Sequence, residues 1–427
     1  MKSFLRKTLV AAAALLATTA WADVNIGVTL SLTGPGSGLG IPANNQFKLW
    51  PQTIAGEKVN LIILDDASDP GKGVGNARRF VTDDKVDMII GGSITVVSAA
   101  IAPVAADAKT VQLSVAPVGV PPAQEPWIFR LPQGFSVMAH PVVEHMKKQG
   151  VKTLGFLGYT DAYGELWLKE ITKQGEAAGI KVVAAERFAR TDTSVTPQAL
   201  KLVSANPDAM LVVASGSGAA MPHMALVERG YKGRIYQTHA AATPDLVRIG
   251  GKNVEGAYVV SGPAVIAEQL PDSHPSKAVA VDFVTKYEAA VGAGMRNQFA
   301  GHAYDAKIVL EKVLPVALQK GKPGTPEFRV ALRDAVENMG RTIFAHGVMN
   351  WTQAENHQVR QVRMEVLLDA GAQALYDYLH EKGEQTIDSI CNDLGISINS
   401  AAMILLELEF QGVVAALPGK RYRLKNY

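Results

Sequence analysis

Apolar runs of Val, Ile and Leu alternate with amphipathic stretches at a steady beat through most of this 427-residue chain. Asn25 to Leu32, Val59 to Leu64, Met88 to Ile90 and Val111 to Val115 read as buried parallel strands, with a helix predicted near Gln46 to Thr53. Continuous rather than alternating apolar runs indicate a sheet covered on both faces. The series restarts at about Gln133 to His140. Thr153 to Leu157, Ile180 to Ala184, Ala209 to Val213 and Arg234 to Gln237 are the next strands, and Glu144 to Gln149, Glu165 to Ala178, Thr196 to Ser204 and Pro222 to Gly230 the helices between them. Two successive βαβ series predict an α/β protein of two similarly built lobes whose parallel sheets face a cleft. Gly256 to Gly262 and Pro275 to Val291 read as a return path, followed by helices over Tyr304 to Lys320 and Pro326 to Met339.

After about Asn356 the beat changes. Helices over Glu365 to Glu381, Ser389 to Leu394 and Ala401 to Gln411, a short strand with an N-cap at Thr386-Ile387-Asp388, and a hairpin over Gly412 to Leu424 make a winged-helix layout. The N-terminus differs again. Lys2, Arg6 and Lys7 precede an apolar run over Leu9 to Thr18 and a small-x-small site at Ala20-Trp21-Ala22, the pattern of a cleaved export signal over residues 1–22. The apolar run falls short of the ~20 residues needed to span a bilayer.

Charge adds little, since 42 basic against 40 acidic residues leave +2. No global field therefore selects nucleic acid or a membrane surface. The single cysteine, Cys391, excludes an internal disulfide framework. Gly34-Pro35-Gly36-Ser37-Gly38-Leu39-Gly40 fails the dinucleotide fingerprint, because position 41 is Ile41 where glycine is needed, and reads as a flexible loop near a ligand. Nine histidines show no metal-binding spacing, and no nucleophile elbow occurs. The expectation is a binding protein with no metal, no cofactor and no catalytic set.

Met88 to Ala105, MIIGGSITVVSAAIAPVA, carries the one local ligand signal. A strand that breaks at Gly91-Gly92 and delivers Ser93, Thr95 and Ser98 to a helix N-terminus leaves backbone N–H groups free for an anion. The same hydroxyls would also serve as ordinary N-caps.

Residues from about Val24 to Trp351 resemble the branched-chain amino-acid (leucine/isoleucine/valine) binding proteins of ABC transporters, with the type I periplasmic-binding fold. The resemblance rests on IGVTLSLTGPGSGLG near Ile26, LDDASDP near Leu64, NARRFV before IIGGS, YTDAYGE at Tyr159 to Glu165 and GHAYDA at Gly301 to Ala306. It implies two Rossmann-like lobes joined by a three-strand hinge, lobe 1 over 23–137 and 262–345 and lobe 2 over 138–261 and 346–356. It also implies closure over one small ligand, location in the periplasm and docking on an ABC permease. By position, Thr95 with Ser93 beside it would hold a ligand carboxylate, Ala116 would offer backbone contacts, and Leu39 and Tyr163 would pack on the ligand body. Three places depart from the amino-acid pattern. Val118 stands where a Ser or Thr is usual, the Ser215 region lacks a tyrosine, and His239 stands where a Glu would pair with an α-ammonium. A buried ammonium without a counter-charge is penalised by several kcal/mol. The expected ligand is therefore a carboxylate without a free amine, such as an aromatic or aliphatic acid. The alternative is an amino acid whose ammonium meets another acid.

The C-terminal stretch from about Ala370 to Leu424 resembles the winged-helix domain of DNA-processing protein A, in LYDYL, TIDSI, LGIS, LLELEFQGVV and PGKRYRL. A junction at 357–369 would join it to the main body, with the winged helix over 370–427. Its presumed recognition helix carries Glu407 and Glu409 and no Lys or Arg, which disfavours phosphate contact and leaves a protein partner or DNA binding through Lys420, Arg421, Arg423 and Lys425 as alternatives. An export signal and a DNA-processing module belong to different compartments, so the whole reads as two unrelated segments joined by gene fusion, by engineering or by a joined reading frame.

Overall fold

The computed structural model describes residues 23–351, 362–364, 370–410 and 414–424. The export signal expected at 1–22 and nearly all of the junction expected at 357–369 lie outside the described residues. The chain divides at Arg363/Met364 into two compact units.

In the first unit, β1 (Val24–Leu30), β2 (Thr53–Ile54), β3 (Glu57–Asp65), β4 (Met88–Gly91), β5 (Val111–Ser114) and β6 (Ile128–Arg130) form one sheet in the order β2-β3-β1-β4-β5-β6. It is parallel except for the β2–β3 ladder, with Ile26 opposite Leu61 on one side and Met88 on the other. β7 (Thr153–Tyr159), β8 (Lys181–Phe188), β9 (Ala209–Val213), β10 (Arg234–Gln237) and β11 (Tyr258–Val259) form a second, wholly parallel sheet in the order β11-β10-β9-β7-β8. The apolar runs thus become strands buried on both faces, as their composition requires.

Helices connect the strands: α1 (Ser37–Phe47), α2 (Pro70–Thr82), α3 (Thr95–Asp107), α4 (Phe135–Lys148), α5 (Ala162–Ala177), α6 (Thr196–Ala205), α7 (Ala220–Glu228) and α8 (Pro244–Gly250). α9 (Lys277–Val291), α10 (Gln298–Leu318) and α11 (Pro326–Glu337) then lead to the antiparallel pair β12 (Thr342–Phe344) and β13 (Gly347–Trp351). Side-chain caps set several starts. Asp69, Asp161 and Asn297 accept backbone N–H groups at the heads of α2, α5 and α10, each satisfying donors that the helix leaves open.

Four sequence expectations are corrected. The helix expected near Gln46 to Thr53 runs instead over Ser37–Phe47, and Thr53–Ile54 is a short strand. The glycine loop is consequently the head of α1. Gly40 is required there, because a Cβ would lie 2.1 Å from the Ser31 carbonyl oxygen. The helix expected from Glu144 begins nine residues earlier at Phe135, and β6 and α2 were not anticipated. Residues 346–351, expected in the second lobe, pack with the first. Trp351 lies edge-on to Phe129 with ring centroids 6.0 Å apart, its indole N–H donates to the Arg130 carbonyl, and Met349 joins the core under β1.

One apolar cluster runs unbroken from Leu39, Ile94 and Val97 on the first-sheet side to Tyr163, Trp167 and the strands of the second sheet. The two sheets therefore share a core rather than facing an open gap. Gly38 and Gly216 meet across this boundary, a Cβ on Gly38 lying 3.4 Å from the Gly216 Cα. The chain passes between the sheets at about 131–134 and again at about 260–262.

The second unit carries helices Ala370–Lys382, Ile387–Leu394 and Ile398–Phe410 and the antiparallel hairpin Val414–Leu417 and Arg421–Leu424, with the short strand Gln385–Thr386 on the hairpin's edge. Thr386 caps the middle helix through Ser389 N–H. Leu375, Leu379, Ile390, Leu405, Leu408 and Val414 form its own core. Among the described residues no single helix is long and apolar enough to cross a membrane.

Candidate functional site

The site is built where α3 and the β5–β6 connection meet α5 and the β9 and β10 termini. β4 ends at Gly91, and α3 begins at Thr95 with Ile94 at the N-cap and no side-chain cap. The expected Ser or Thr cap is absent because both hydroxyls are used elsewhere. Ser93 Oγ accepts the Ser31 N–H at 2.9 Å, and Thr95 Oγ1 donates to the Pro117 carbonyl at 2.9 Å. That bond ties the head of α3 to the following loop and leaves the Thr95 oxygen as an acceptor only. The first-turn N–H groups of an uncapped helix, with the positive end of its dipole behind them, suit an anion. In the adjoining loop Ala116 N–H and C=O both bond the Ser114 hydroxyl, and the Val118 carbonyl accepts from Arg130, itself paired with Glu125 at 2.6 Å. These bonds fix the loop backbone, and Ala116 and Val118 are both buried.

Opposite this loop, Asp161 heads α5 and places Tyr163, whose hydroxyl lies 2.7 Å from Thr238 Oγ1. Burial pushes the Tyr163 hydroxyl far above its ordinary pKa, so it stays protonated. Arg190 pairs with Asp161 at 2.5 Å, donates to Ser215 Oγ at 2.9 Å and stacks on the Tyr159 ring at 4.0 Å. Leu39 reaches this side from α1, its Cδ1 3.2 Å from a Cβ built on Gly216. His239 follows β10 and is buried against Tyr163 and Trp167, with ring centroids at 5.9 and 6.0 Å. Burial first, and the His346 side chain second, lower its pKa to about 3, which leaves a neutral imidazole. Its Nδ1 has no hydrogen-bond partner.

All eight expected residues thus lie on the elements that bound this inter-sheet region, and all are buried. Several neighbours were missed. Trp167 sits four residues after Tyr163, on the same helical face, a spacing legible in sequence. Phe135 packs against both at 6.0 Å and heads a helix placed too late by periodicity. Arg190 carried no local signal.

The histidines, scattered in sequence, gather in space. His346 Nδ1 is 2.9 Å from Asp305 Oδ2, and the His302 and His346 rings lie 4.3 Å apart. Possible ligand atoms of His302, Asp305 and His346 all fall within 4.8 Å of one another, a cluster that spacing rules do not reveal because His346 comes 41 residues after Asp305. Asp305 also accepts the Ala345 N–H, Gln298 accepts the Gly262 N–H and donates to Gln133, and Gln133 donates to the His346 carbonyl. Two inter-sheet crossings and the β12–β13 turn are so tied to the head of α10. His302 Nδ1, His346 Nε2 and His239 Nδ1 are buried without partners. Each such atom costs roughly 1–3 kcal/mol in desolvation.

Acids on these elements are engaged. Asp161 pairs with Arg190, Asp305 with His346 and Asp245 with Arg248, while Asp66 is held by Ser31 Oγ and Ser68 N–H. Burial raises the Asp66 carboxyl above the usual range. In the second unit, Ile398, Met403 and Leu406 are exposed on the last helix, which places apolar rather than basic side chains on its outer face.

Comparison with known proteins follows the same division. A family model described as periplasmic binding protein matches residues 23–367, and one described as DprA winged helix domain matches 365–420. An extracellular ligand-binding receptor from Rhodopseudomonas palustris is similar at 47% identity with a TM-score of 0.77, over 80% of this chain and 94% of that one. A leucine-binding protein from Thermotoga maritima (23%, TM-score 0.67, 77% and 91% covered) shares the fold. So does a solute-binding protein of an ABC transporter from R. palustris BisB5, solved with 3,4-dihydroxybenzoic acid (23%, TM-score 0.66, 80% and 90% covered). Leu/Ile/Val-binding protein homolog 1 of Brucella abortus is 35% identical over 98 residues, 20% of this chain, and the chain spans about a quarter (26%) of that relative's length.

Proposed function

The chain belongs to the periplasmic binding protein family, and we propose that it is the solute-capturing component of an ABC importer, specific for a small carboxylate that has no free amine. His239 carries the reading. It is buried and neutral with an unpartnered nitrogen, at the place where an α-ammonium would need a negative charge. The acids around it are already paired, so an amino acid would leave its ammonium uncompensated at a cost of several kcal/mol. The uncapped head of α3 with Ser93 and Thr95 receives the carboxylate. Phe135, Tyr163 and Trp167 offer flat apolar walls, which favours an aromatic acid over an aliphatic one.

Capture works by closure. Only when Leu39 and Gly38 meet Gly216 do both sides contact the ligand, so the ligand stabilises the closed state by its differential affinity for it. The lobes comprise about 23–137 with 262–351 and about 138–261, with export to the periplasm and a permease as partner. A branched-chain amino acid is the competing ligand. Calorimetry with benzoate, 3-phenylpropanoate and leucine separates the two: tight leucine binding with no response to either aromatic acid overturns the reading.

The winged helix is a separate matter. The exposed Ile398, Met403 and Leu406, and a helix without Lys or Arg, favour protein contact over phosphate contact.

A further inference from the structure

We propose that His302, Asp305 and His346 bind one divalent transition-metal ion of the zinc class at the place where the chain crosses between the two sheets. The inference goes beyond the solute reading and does not depend on it. Sequence spacing predicts no metal site, because only His302 and Asp305, three residues apart on one face of α10, are neighbours along the chain. Folding adds His346 from the β12–β13 turn. Possible ligand atoms of all three then fall within 4.8 Å of one another, and none of the three side chains is exposed.

The donor set selects the ion. Two imidazoles and one carboxylate suit zinc and its neighbours in the transition series and are a poor set for Mg²⁺ or Ca²⁺, which take oxygen ligands. The spacing agrees. Zinc bonds of ~2.0–2.1 Å in a tetrahedron hold ligand atoms about 3.3 Å apart. His346 Nδ1 and Asp305 Oδ2 already lie 2.9 Å apart. An ion between them takes the place of the shared hydrogen, and the imidazole keeps its proton on Nε2, an atom with no other partner. His302 Nδ1 is likewise buried and unpartnered, and its ring makes only one long contact, at 3.4 Å from Nε2 to the Gln298 amide nitrogen. A shift of about 1.5 Å brings the widest ligand separation to the zinc value. Asp305 stays anchored meanwhile, because it also accepts the Ala345 N–H at 2.8 Å, the kind of outer support that metal-bound carboxylates have. Its charge offsets one of the two on the ion, as a buried cation requires. Three protein ligands leave the fourth tetrahedral position to a water or a small anion.

The test adds Zn²⁺, Mg²⁺ or Ca²⁺ to the full chain after treatment with a chelator, with prolonged incubation because the three side chains are closed to solvent. One equivalent of Zn²⁺ is expected to bind. At about a hundred times its dissociation constant it is expected to raise the thermal midpoint by about 3 °C or more, with no rise from Mg²⁺ or Ca²⁺. X-ray absorption of the singly loaded chain is expected to show two imidazole ligands. In His302→Gln and Asp305→Asn the Zn²⁺ affinity is expected to fall tenfold or more. Thermal unfolding without metal establishes which variants fold, and the absorption measurement on the unsubstituted chain needs neither. No rise with Zn²⁺, fewer than two imidazole ligands, or a Zn²⁺ affinity that survives His302→Gln in folded protein overturns the site. Failure of aromatic acids to bind overturns the solute reading alone and leaves the metal site standing.

Discussion

His346 Nδ1 and Asp305 Oδ2 lie 2.9 Å apart with neither side chain exposed to solvent, and this pair holds the β12–β13 turn against the head of α10. The neighbouring glycines are shaped to it. A Cβ on Gly301 would lie 2.0 Å from His346 Cε1, and one on Gly262 2.6 Å from Cδ2. Because Gln133 and Gln298 bond into the same turn and helix, the pair also sets where the two inter-sheet crossings begin.

Asp305→Asn removes one charge of this buried pair and turns an amide toward the imidazole. Loss of one partner of such a pair typically costs about 3–5 kcal/mol. Urea unfolding at neutral pH should show a loss of about that size. A change below about 1 kcal/mol would mean that the pair contributes little to the fold.

Acid should destabilise the protein below about pH 6.5. His239 takes up a proton near 6.5 when unfolded but only near 3 when folded, so below 6.5 the unfolded chain binds the extra proton and gains. At pH 4 this one group accounts for a loss of about 3 kcal/mol. His223, lowered to about 4 by burial, and His302, lowered well below its ordinary value by burial, act in the same direction. Asp87 opposes them. Burial raises it to about 6, so the stability it costs above pH 6 is relieved as pH falls toward 4. The histidines outnumber it, and the unfolding midpoint should fall between pH 6.5 and 4, with a shallower slope in His239→Gln.

His239→Glu restores the charge that an α-ammonium needs. Aromatic carboxylates should bind at least tenfold more weakly, and leucine or valine should gain measurable affinity by calorimetry. Unchanged ligand preference would remove His239 from the specificity set.

Gly38→Val tests closure apart from chemistry. The Gly38 Cβ position is 3.4 Å from Gly216 Cα, so the further methyls of a valine would press the two sides apart. Ligand affinity should fall tenfold or more, and small-angle scattering should show a more open particle.

The last helix of the second unit presents Met403 and Leu406 and no basic side chain. Duplex DNA should therefore show no salt-dependent binding to the full chain. Phosphate contacts would give an affinity that falls steeply between ~50 and ~200 mM salt.

Much of the architecture is legible along the chain because buried parallel strands must be continuously apolar. Val24–Leu30, Met88–Gly91 and Ala209–Val213 announce themselves in this way. The winged helix is legible too, through the Thr386 cap and the Pro418-Gly419 turn. Legibility fails where local preference is overridden. Gly36 to Gly40 has the composition of a loop, yet α1 starts there, and at Gly40 the Ser31 backbone comes closer than any side chain allows. Phe135 begins a helix whose periodic signal is strong only further on.

The sequence by itself determined the two strand series, the family and the turn that leads to Thr95, because these depend on local pattern and order. Only the tertiary structure decided what the polar groups do. Whether a hydroxyl caps a helix or bonds a distant carbonyl, as Thr95 does with Pro117, depends on what folding brings within 3 Å. Whether a histidine is charged depends on the water and charge around it. His302 and Asp305 share one helix face, but no spacing rule connects them with His346, and burial together is what gives the three their chemistry.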